Sequence, residues 1–306
     1  MTRAATTNGQ TTDLSRYGWL AVATAVVTIG LKAGAWLLTG SVGLLADAAE
    51  SVVNLVAAVV ALIALKVAAR PADRNHHFGH TKAEYFSAAV EGIMIFVAAA
   101  SIIVFAIQRL IQPQPLESLG IGVAISLVAA AINGAVGLVL IRAGNRNRSI
   151  TLRADGKHLM TDVYTSVGVA VAIGLVALTG WVILDPLIGI AVGINILFAG
   201  YGLIKESSAG LMDISLPKEA NNRLRAILDS HTSDSVAFHA MRTRESGTRQ
   251  FMEMHMLVPG DWTVQRGHDA MEDLIEEIRA EFPDLWVTGH LEPIEDPRSY
   301  EDMDYR

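Results

Sequence analysis

Up to about residue 208 the chain is a succession of long apolar runs, interrupted by short polar or Gly/Pro-containing breaks. A membrane-spanning helix needs about 20 consecutive, mostly apolar residues. Six runs meet that length: 19–38, 42–69, 86–111, 119–141, 159–178 and 183–203. Gly40-Ser41, Pro113 to Pro115, and Thr179-Gly180 supply breaks between them. The second run is long enough to tilt or to project beyond the bilayer.

From Pro217 the pattern changes to that of a soluble domain. Residues 217–231 and 263–282 read as amphipathic helices. Residues 236–244 and 250–258 alternate like paired strands around Ser246-Gly247, and 285–291 reads as a third strand. The order αββαβ predicts a two-layer α+β domain with its helices on one face of the sheet. The expected architecture is a flexible N-terminus (1–14), a six-helix all-α transmembrane domain (15–208), a ferredoxin-like, metallochaperone-like α+β domain (209–293) and a mobile acidic tail (294–306).

Charge follows the same division. Residues 1–208 carry 14 Lys and Arg against 11 Asp and Glu, whereas 209–306 carry 10 against 20. The acidic second part argues against a nucleic-acid partner and is compatible with divalent cations. With no cysteine there is neither a disulfide framework nor a thiolate metal site. The start of the chain has Arg3 and Arg16 but no apolar core or small-residue cleavage site, so the first run is expected to remain as a span. Basic residues concentrate on one side: Arg3, Arg16, Lys66, Arg70, Arg74, Lys82, Arg142, Arg146, Arg148, Arg153, Lys157 and Lys205, with little but Arg109 opposite. The positive-inside rule then places both termini in the cytoplasm of a multi-pass protein of the inner membrane.

Polar residues inside apolar runs carry the chemistry. Asp47, Glu50 and Asn54, at i, i+3 and i+7, form one stripe on the second run, and His158 and Asp162 share a face at the start of the fifth. A carboxylate at mid-bilayer costs roughly 2.5–3.5 kcal/mol even on lenient scales, so these residues suggest an ion site between two helices. Three oxygen donors and one imidazole suit zinc, manganese, iron or cobalt. An isolated Asn is better explained by helix-packing hydrogen bonds, and Lys32, Glu91, Asn133 and Asn195 are weaker signals of that kind.

A second cluster is Asp73, His76, His77 and His80, where Asp73, His76 and His80 would converge in a helix or turn as an open zinc set. A third comprises His239, His255, His268, His290 and Glu292; His290 and Glu292 share a sheet face because strand side chains alternate. His231 fits no set and reads as a helix C-terminal residue.

Four stretches together resemble the cation diffusion facilitator family: TGSVGLLADAAE (39–50), PADRNHHFGHTKAE (71–84), RADGKHLMTDV (153–163) and RTRESG (242–247). The resemblance covers about residues 15–293 and is closest to the bacterial zinc- and iron-efflux type. It implies a homodimeric metal–proton antiporter, a secondary active transporter rather than an enzyme. It also implies that 209–293 is a metal-binding regulatory and dimerisation domain.

By resemblance the transport site maps to Glu50, Asn54, His158 and Asp162, with Asp47 as a possible auxiliary ligand. The loop site maps to Asp73, His76 and His80, and a binuclear cytoplasmic site to His239, His255, His268, His290 and Glu292. Lys82 and Asp213 stand where such members pair a lysine with an aspartate to lock two protomers. One departure matters: zinc members usually carry Asp or His, then Asp, where this chain has Glu50 and Asn54. The site loses a negative charge, which keeps Mn, Fe, Co, Ni and Cd open beside Zn.

Proton exchange follows from such ligands, since metal needs neutral imidazole and ionised carboxylate, and histidine's ordinary pKa of about 6.5 lies in the working range. A passive cation channel and a membrane metal sensor are the rival readings.

Overall fold

The computed structural model describes residues 13–39, 42–112, 120–181 and 183–304. The chain divides into two compact units, Met1–Ser208 and Ala209–Arg306.

The first unit is a bundle of six long helices among the described residues: α1 (Ser15–Thr39), α2 (Val42–Ala68), α3 (Ala83–Ile111), α4 (Gly120–Asn147), α5 (Ile150–Thr179) and α6 (Leu184–Leu211, whose last turn crosses into the second unit). Four stretches of described residues are long and apolar enough to cross a membrane: Ser15–Gly34, Ala83–Ile111, Ala124–Asn147 and Pro186–Leu211. Large apolar side chains such as Phe105, Leu178 and Phe198 are exposed on the outside of the bundle. In water that would be a liability; against lipid it needs no cover.

Helix contact inside the bundle rests on small residues. A Cβ placed on Gly156 of α5 would sit 2.8 Å from the carbonyl oxygen of Gly137 on α4. One on Gly200 of α6 would sit 3.1 Å from the carbonyl oxygen of Gly92 on α3. Backbones that close gain dispersion contacts that lipid cannot replace.

The helices overrun the apolar stretches. α4 continues to Asn147 and α5 begins at Ile150, nine residues before the run that hydropathy marks. The polar segment 150–158 is helical because its ends and charges are satisfied. The buried Glu84 carboxylate accepts from Ser149 Oγ and, at 3.3 Å, from the Thr151 backbone N–H, capping α5 from the first turn of α3. Arg153 of α5 pairs with Glu206 of α6, and Lys157 lies 3.8 Å from the same carboxylate. Ser207 Oγ donates to the Tyr85 carbonyl, so the starts of α3 and α5 and the end of α6 meet at one end of the bundle. α5 ends at Thr179, followed by Gly180 with φ +71°, the break read from Thr179-Gly180. The breaks at Gly40-Ser41 and at Pro113 to Pro115 lie outside the described residues, as does Leu119.

The second unit runs α7 (Lys218–Ser230), β1 (Ala237–Ser246), β2 (Arg249–Val258), α8 (Val264–Glu281) and β3 (Leu285–Pro293). β1 pairs antiparallel with β2 through a turn at Gly247, φ +58°, and β3 pairs parallel with β2 after the α8 crossover. α8 starts at Thr263, whose hydroxyl accepts from the Arg266 N–H at 3.2 Å. Met252, Met254, Met256 and Val258 of β2 pack with Leu224, Ile227 and Leu228 of α7 and Met271, Leu274, Ile275 and Ile278 of α8. Both helices thus cover one face, as the αββαβ pattern predicts.

The segment after Pro293, expected to be mobile, forms a 3-10 helix over Pro297–Asp304. Ser299 Oγ donates to the Pro293 carbonyl at 2.8 Å and Tyr300 Oη to the Ile294 carbonyl at 2.9 Å. Hydrogen bonds from the Arg298 side chain hold Asp296 ionised, its pKa lowered to about 2.

Candidate metal centres

The bundle cluster lies between α2 and α5. Asn54 Nδ2 donates to Asp162 Oδ2 at 2.6 Å, and His158 Nε2 lies 2.8 Å from Asn54 Oδ1. With Asn54 Oδ1 as acceptor, His158 Nε2 carries the proton and Nδ1 is the free lone pair. Nδ1 is buried and has no partner. A fourth member comes from α4: Asn133 Nδ2 donates to Asp162 Oδ2 at 3.0 Å, while Asn133 Oδ1 is buried and unpartnered. All four residues are buried, Asn133 at 2% exposure and the others at 7% or less. The side chains of Glu50 and Asp47, on α2 one and two turns before Asn54, lie outside the described residues.

The donor types gathered here are those a cation takes. Two amide donors hold Asp162 in place, and rotating either amide would exchange N–H donors for a carbonyl oxygen. An imidazole, an amide oxygen and a carboxylate are three unlike donor types, a mixed set of the kind a borderline divalent ion takes.

Asn133 shows in sequence only as a lone polar residue. Asp155 was missed, although it precedes His158 and Asp162 by three and seven residues. That is the spacing that marks Asp47, Glu50 and Asn54 on α2, and it puts Asp155, His158 and Asp162 in one stripe on α5.

The loop cluster, between α2 and α3, is a turn rather than a helix. Asp73 Oδ1 accepts from the N–H groups of Asn75 and His76, each at 2.8 Å. These bonds, the Asn75 one foremost, hold the Asp73 carboxyl below its usual range. His76 Nδ1 lies 3.1 Å from Asp73 Oδ1, and His80 Nε2 lies 3.3 Å from Asp73 Oδ2. The two imidazole rings are 4.4 Å apart, centroid to centroid. Gly79, φ +83°, turns the chain so that His80 comes back to His76. His77 is outside the cluster.

The third cluster is set by strand register. His239 of β1 stands opposite His255 of β2, which stands opposite His290 of β3. All three occupy the face away from α7 and α8, since they alternate with the core positions. Glu292, next on that face of β3, lies 2.8 Å from His239 Nε2, 3.2 Å from His255 Nδ1 and 3.6 Å from His290 Nε2. A β-bulge follows His239, with Ala240 at φ +49°, and re-aims the rest of β1. His239 Nδ1 is buried without a partner.

His239, His255 and Glu292 present ligand atoms within 4.8 Å of one another. A carboxylate between imidazoles, at one edge open to solvent through the exposed His290, suits zinc. His268 is not among them. It is exposed on α8, and that helix covers the opposite face of the sheet, so within one copy of this unit it cannot join the other four. Asp213, φ +58°, accepts from Arg244 Nη1 at 3.3 Å, and Lys82 is the residue before α3.

Two family models match the chain: "Cation efflux transmembrane domain" over residues 18–212 and "Cation efflux protein, cytoplasmic domain" over residues 216–294. An uncharacterized transporter of Synechocystis sp. is 50% identical over 288 residues, covering 94% of this chain and 93% of the relative. The cation-efflux pump FieF of Klebsiella pneumoniae is 30% identical over 280 residues, covering 92% of this chain and 93% of the pump. Among solved structures, the metal-bound C-terminal domain of the CzcD transporter from Thermotoga maritima is 27% identical, covering 26% of this chain and 92% of that domain, with a TM-score of 0.24. The chain is an integral membrane protein and belongs to the cation diffusion facilitator family of cation efflux transporters.

Proposed function

We propose that this protein exports a divalent metal ion, zinc foremost, from the cytoplasm across the inner membrane in exchange for protons. The observation that carries the reading is the buried cluster of Asn54, His158 and Asp162 across α2 and α5. Facing the cytoplasm, Glu50, Asp162 and neutral His158 take the cation, with Asn54 turning its oxygen inward and Asp47 lending charge. Facing outward, protons compete for the same imidazole and carboxylates and release it, because only the deprotonated forms are ligands. No covalent bond changes, so the protein acts as a secondary transporter, not an enzyme.

The other two clusters serve regulation in this reading. Asp73, His76 and His80 hold a metal at the loop. His239, His255, His290 and Glu292 hold metal in the cytoplasmic domain, where His268 joins from a second copy. The working form is a homodimer with both termini cytoplasmic, in which Lys82 and Asp213 take part in locking the protomers. The Glu50/Asn54 pair leaves manganese, iron, cobalt, nickel and cadmium as alternative cargo.

The test is metal uptake into everted vesicles under an imposed pH gradient, run across these metals. Zinc uptake should rise with the gradient and vanish in Asp162→Ala and His158→Ala at normal expression. Flux that ignores the gradient would identify a channel, and binding without flux a sensor.

A further inference from the structure

The end of the chain crosses the cytoplasmic sheet beside the His239, His255 and Glu292 cluster. The strand order is β1-β2-β3, so β1 lies two strand spacings, about 10 Å, from β3. After β3 the Ile294 N–H donates to the Val258 carbonyl at 2.9 Å, and Glu295 accepts from the Gly260 N–H at 3.0 Å, which carries the chain past the end of β2. The 3-10 helix Pro297–Asp304 then brings the Tyr300 ring to His239 on β1, 6.1 Å between centroids and 67° between planes. That is an edge-to-face contact within the range aromatic pairs adopt. Ser299, 4% exposed, anchors the helix through its bond to the Pro293 carbonyl, and Tyr300 Oη does so through the Ile294 carbonyl. The segment begins where the cytoplasmic-domain match ends, at residue 294. We propose that residues 295–304 form a strap over the cytoplasmic metal cluster, in which Tyr300 is a positioning residue that holds the His239 imidazole and retards metal release.

A metal-bound imidazole ordinarily donates its second ring N–H to a carboxylate, a carbonyl or water, and that bond fixes the ring. His239 Nε2 lies 2.8 Å from Glu292, and its Nδ1 is buried with no partner among the described residues. The orientation of the ring therefore rests on packing, between His255 at 5.1 Å and Tyr300 at 6.1 Å. The strap acts through this ring. Glu295 and Asp296 are taken by the Gly260 N–H and by Arg298, so neither adds a ligand.

Access follows from the same contact. The side chain of His239 is 9% exposed and that of Glu292 12%, against 67% for His290. With Tyr300 seated, metal leaves past His290 and not past β1. The inference deepens the regulatory reading of this cluster and rests on its binding metal.

The experiment uses the full-length chain in nanodiscs, with Asp162→Ala and Asp73→Ala leaving the cytoplasmic cluster as the zinc site. Zinc affinity is read by chelator competition and zinc release by stopped flow. Tyr300→Ala, and a chain ending at Ile294, should each bind about 10-fold more weakly, the loss lying in faster release. Tyr300→Phe keeps the ring and loses the bond to Ile294, and should release zinc at close to the rate of the unaltered tail. A second readout needs no metal: hydrogen exchange at the Ser299 amide, bonded to the Asp296 carbonyl at 3.0 Å, should be slow and should quicken in Tyr300→Ala. An unprotected Ser299 amide overturns the proposal. Release as fast in Tyr300→Phe as in Tyr300→Ala overturns the role given to the ring. Zinc that binds but leaves Tyr300→Ala and the shortened chain at the unaltered rate defeats the strap alone. No zinc bound by the unaltered tail, with Ser299 protected, defeats the metal reading of the cluster and the strap with it, so the two failures are told apart.

Discussion

The bundle and the cytoplasmic sheet each gather histidine and carboxylate side chains, but they do so under opposite constraints. In the bundle, Asn54 and Asp162 meet across 108 residues of sequence, and every member is buried. In the sheet, His239, His255 and His290 are aligned by register and His290 is open to solvent. A polar group without water is satisfied by other protein groups, so the bundle site is a buried hydrogen-bond chain through Asn54, His158, Asp162 and Asn133, with His158 Nδ1 and Asn133 Oδ1 left over. The sheet site keeps contact with solvent mainly through His290, the one exposed side chain of its four. The first is sealed from solvent, and the second meets it at His290.

The largest expected effect would break that contrast directly. Asp162→Ala or His158→Ala should lower proton-driven uptake by more than about 100-fold, whereas His239→Ala or Glu292→Ala should lower it only about 5- to 10-fold, as for a coupled regulatory site. Equal losses in the vesicle assay would erase the division of labour between the two regions.

How far the two sites could be read in advance follows from the same physics. Strand alternation has a fixed period of two, so the shared face of His290 and Glu292 was readable, and the paired-strand pattern put His239 and His255 near each other. His268 stands with the others by residue type and by the family resemblance, and the αββαβ order, which puts α8 on one face of the sheet, does not tell which α8 residues face away from it. In the bundle, helical period placed Glu50 with Asn54 and His158 with Asp162, but which helices touch is decided by small-residue contacts such as Gly137 with Gly156. Asn133 on α4 could only be found once α4 lay against α5. Hydropathy also hid the start of α5: Arg153, Asp155 and Lys157 lower the local average although Glu84 and Glu206 satisfy the helix there. In the tail the acidic composition gives no sign of the local bonds of Ser299 and Tyr300.

Packing gives the next effect and sharpens the comparison. Gly156→Val would drive methyl groups into a contact where even a Cβ meets the Gly137 carbonyl at 2.8 Å. Two helix backbones cannot yield locally, so a loss of about 1–3 kcal/mol is expected, read as a lower unfolding temperature in detergent. In the sheet, a Cβ on Gly289 would come 2.2 Å from Met271 Sδ, a closer clash on paper. Met271 ends in a flexible thioether that can swing away, so Gly289→Ala should cost under about 1 kcal/mol. A larger loss for Gly289→Ala than for Gly156→Val would show that the sheet, not the bundle, is the rigid partner.

The smallest expected effect concerns the loop cluster, which lies between the two regimes: exposed like the sheet site, yet held by backbone like a buried one. The N–H groups of Asn75 and His76 lower the Asp73 pKa below its usual 3.8. The sign is fixed by that direction. A depressed carboxylate favours the turn at every pH above its unfolded value of 3.8 and loses that contribution only as pH falls through its lower folded value. Asp73 therefore binds no proton between pH 7 and 5, and acid release of metal from the loop must come from His76 and His80 alone. With the bundle and sheet ligands removed by substitution, log affinity against pH over that range should have a slope no greater than two. Asp73→Asn should weaken binding about 10-fold or more while leaving that slope unchanged. A wild-type slope of three would mean that the carboxylate takes part in the exchange, and that the turn around Asp73 opens when metal leaves.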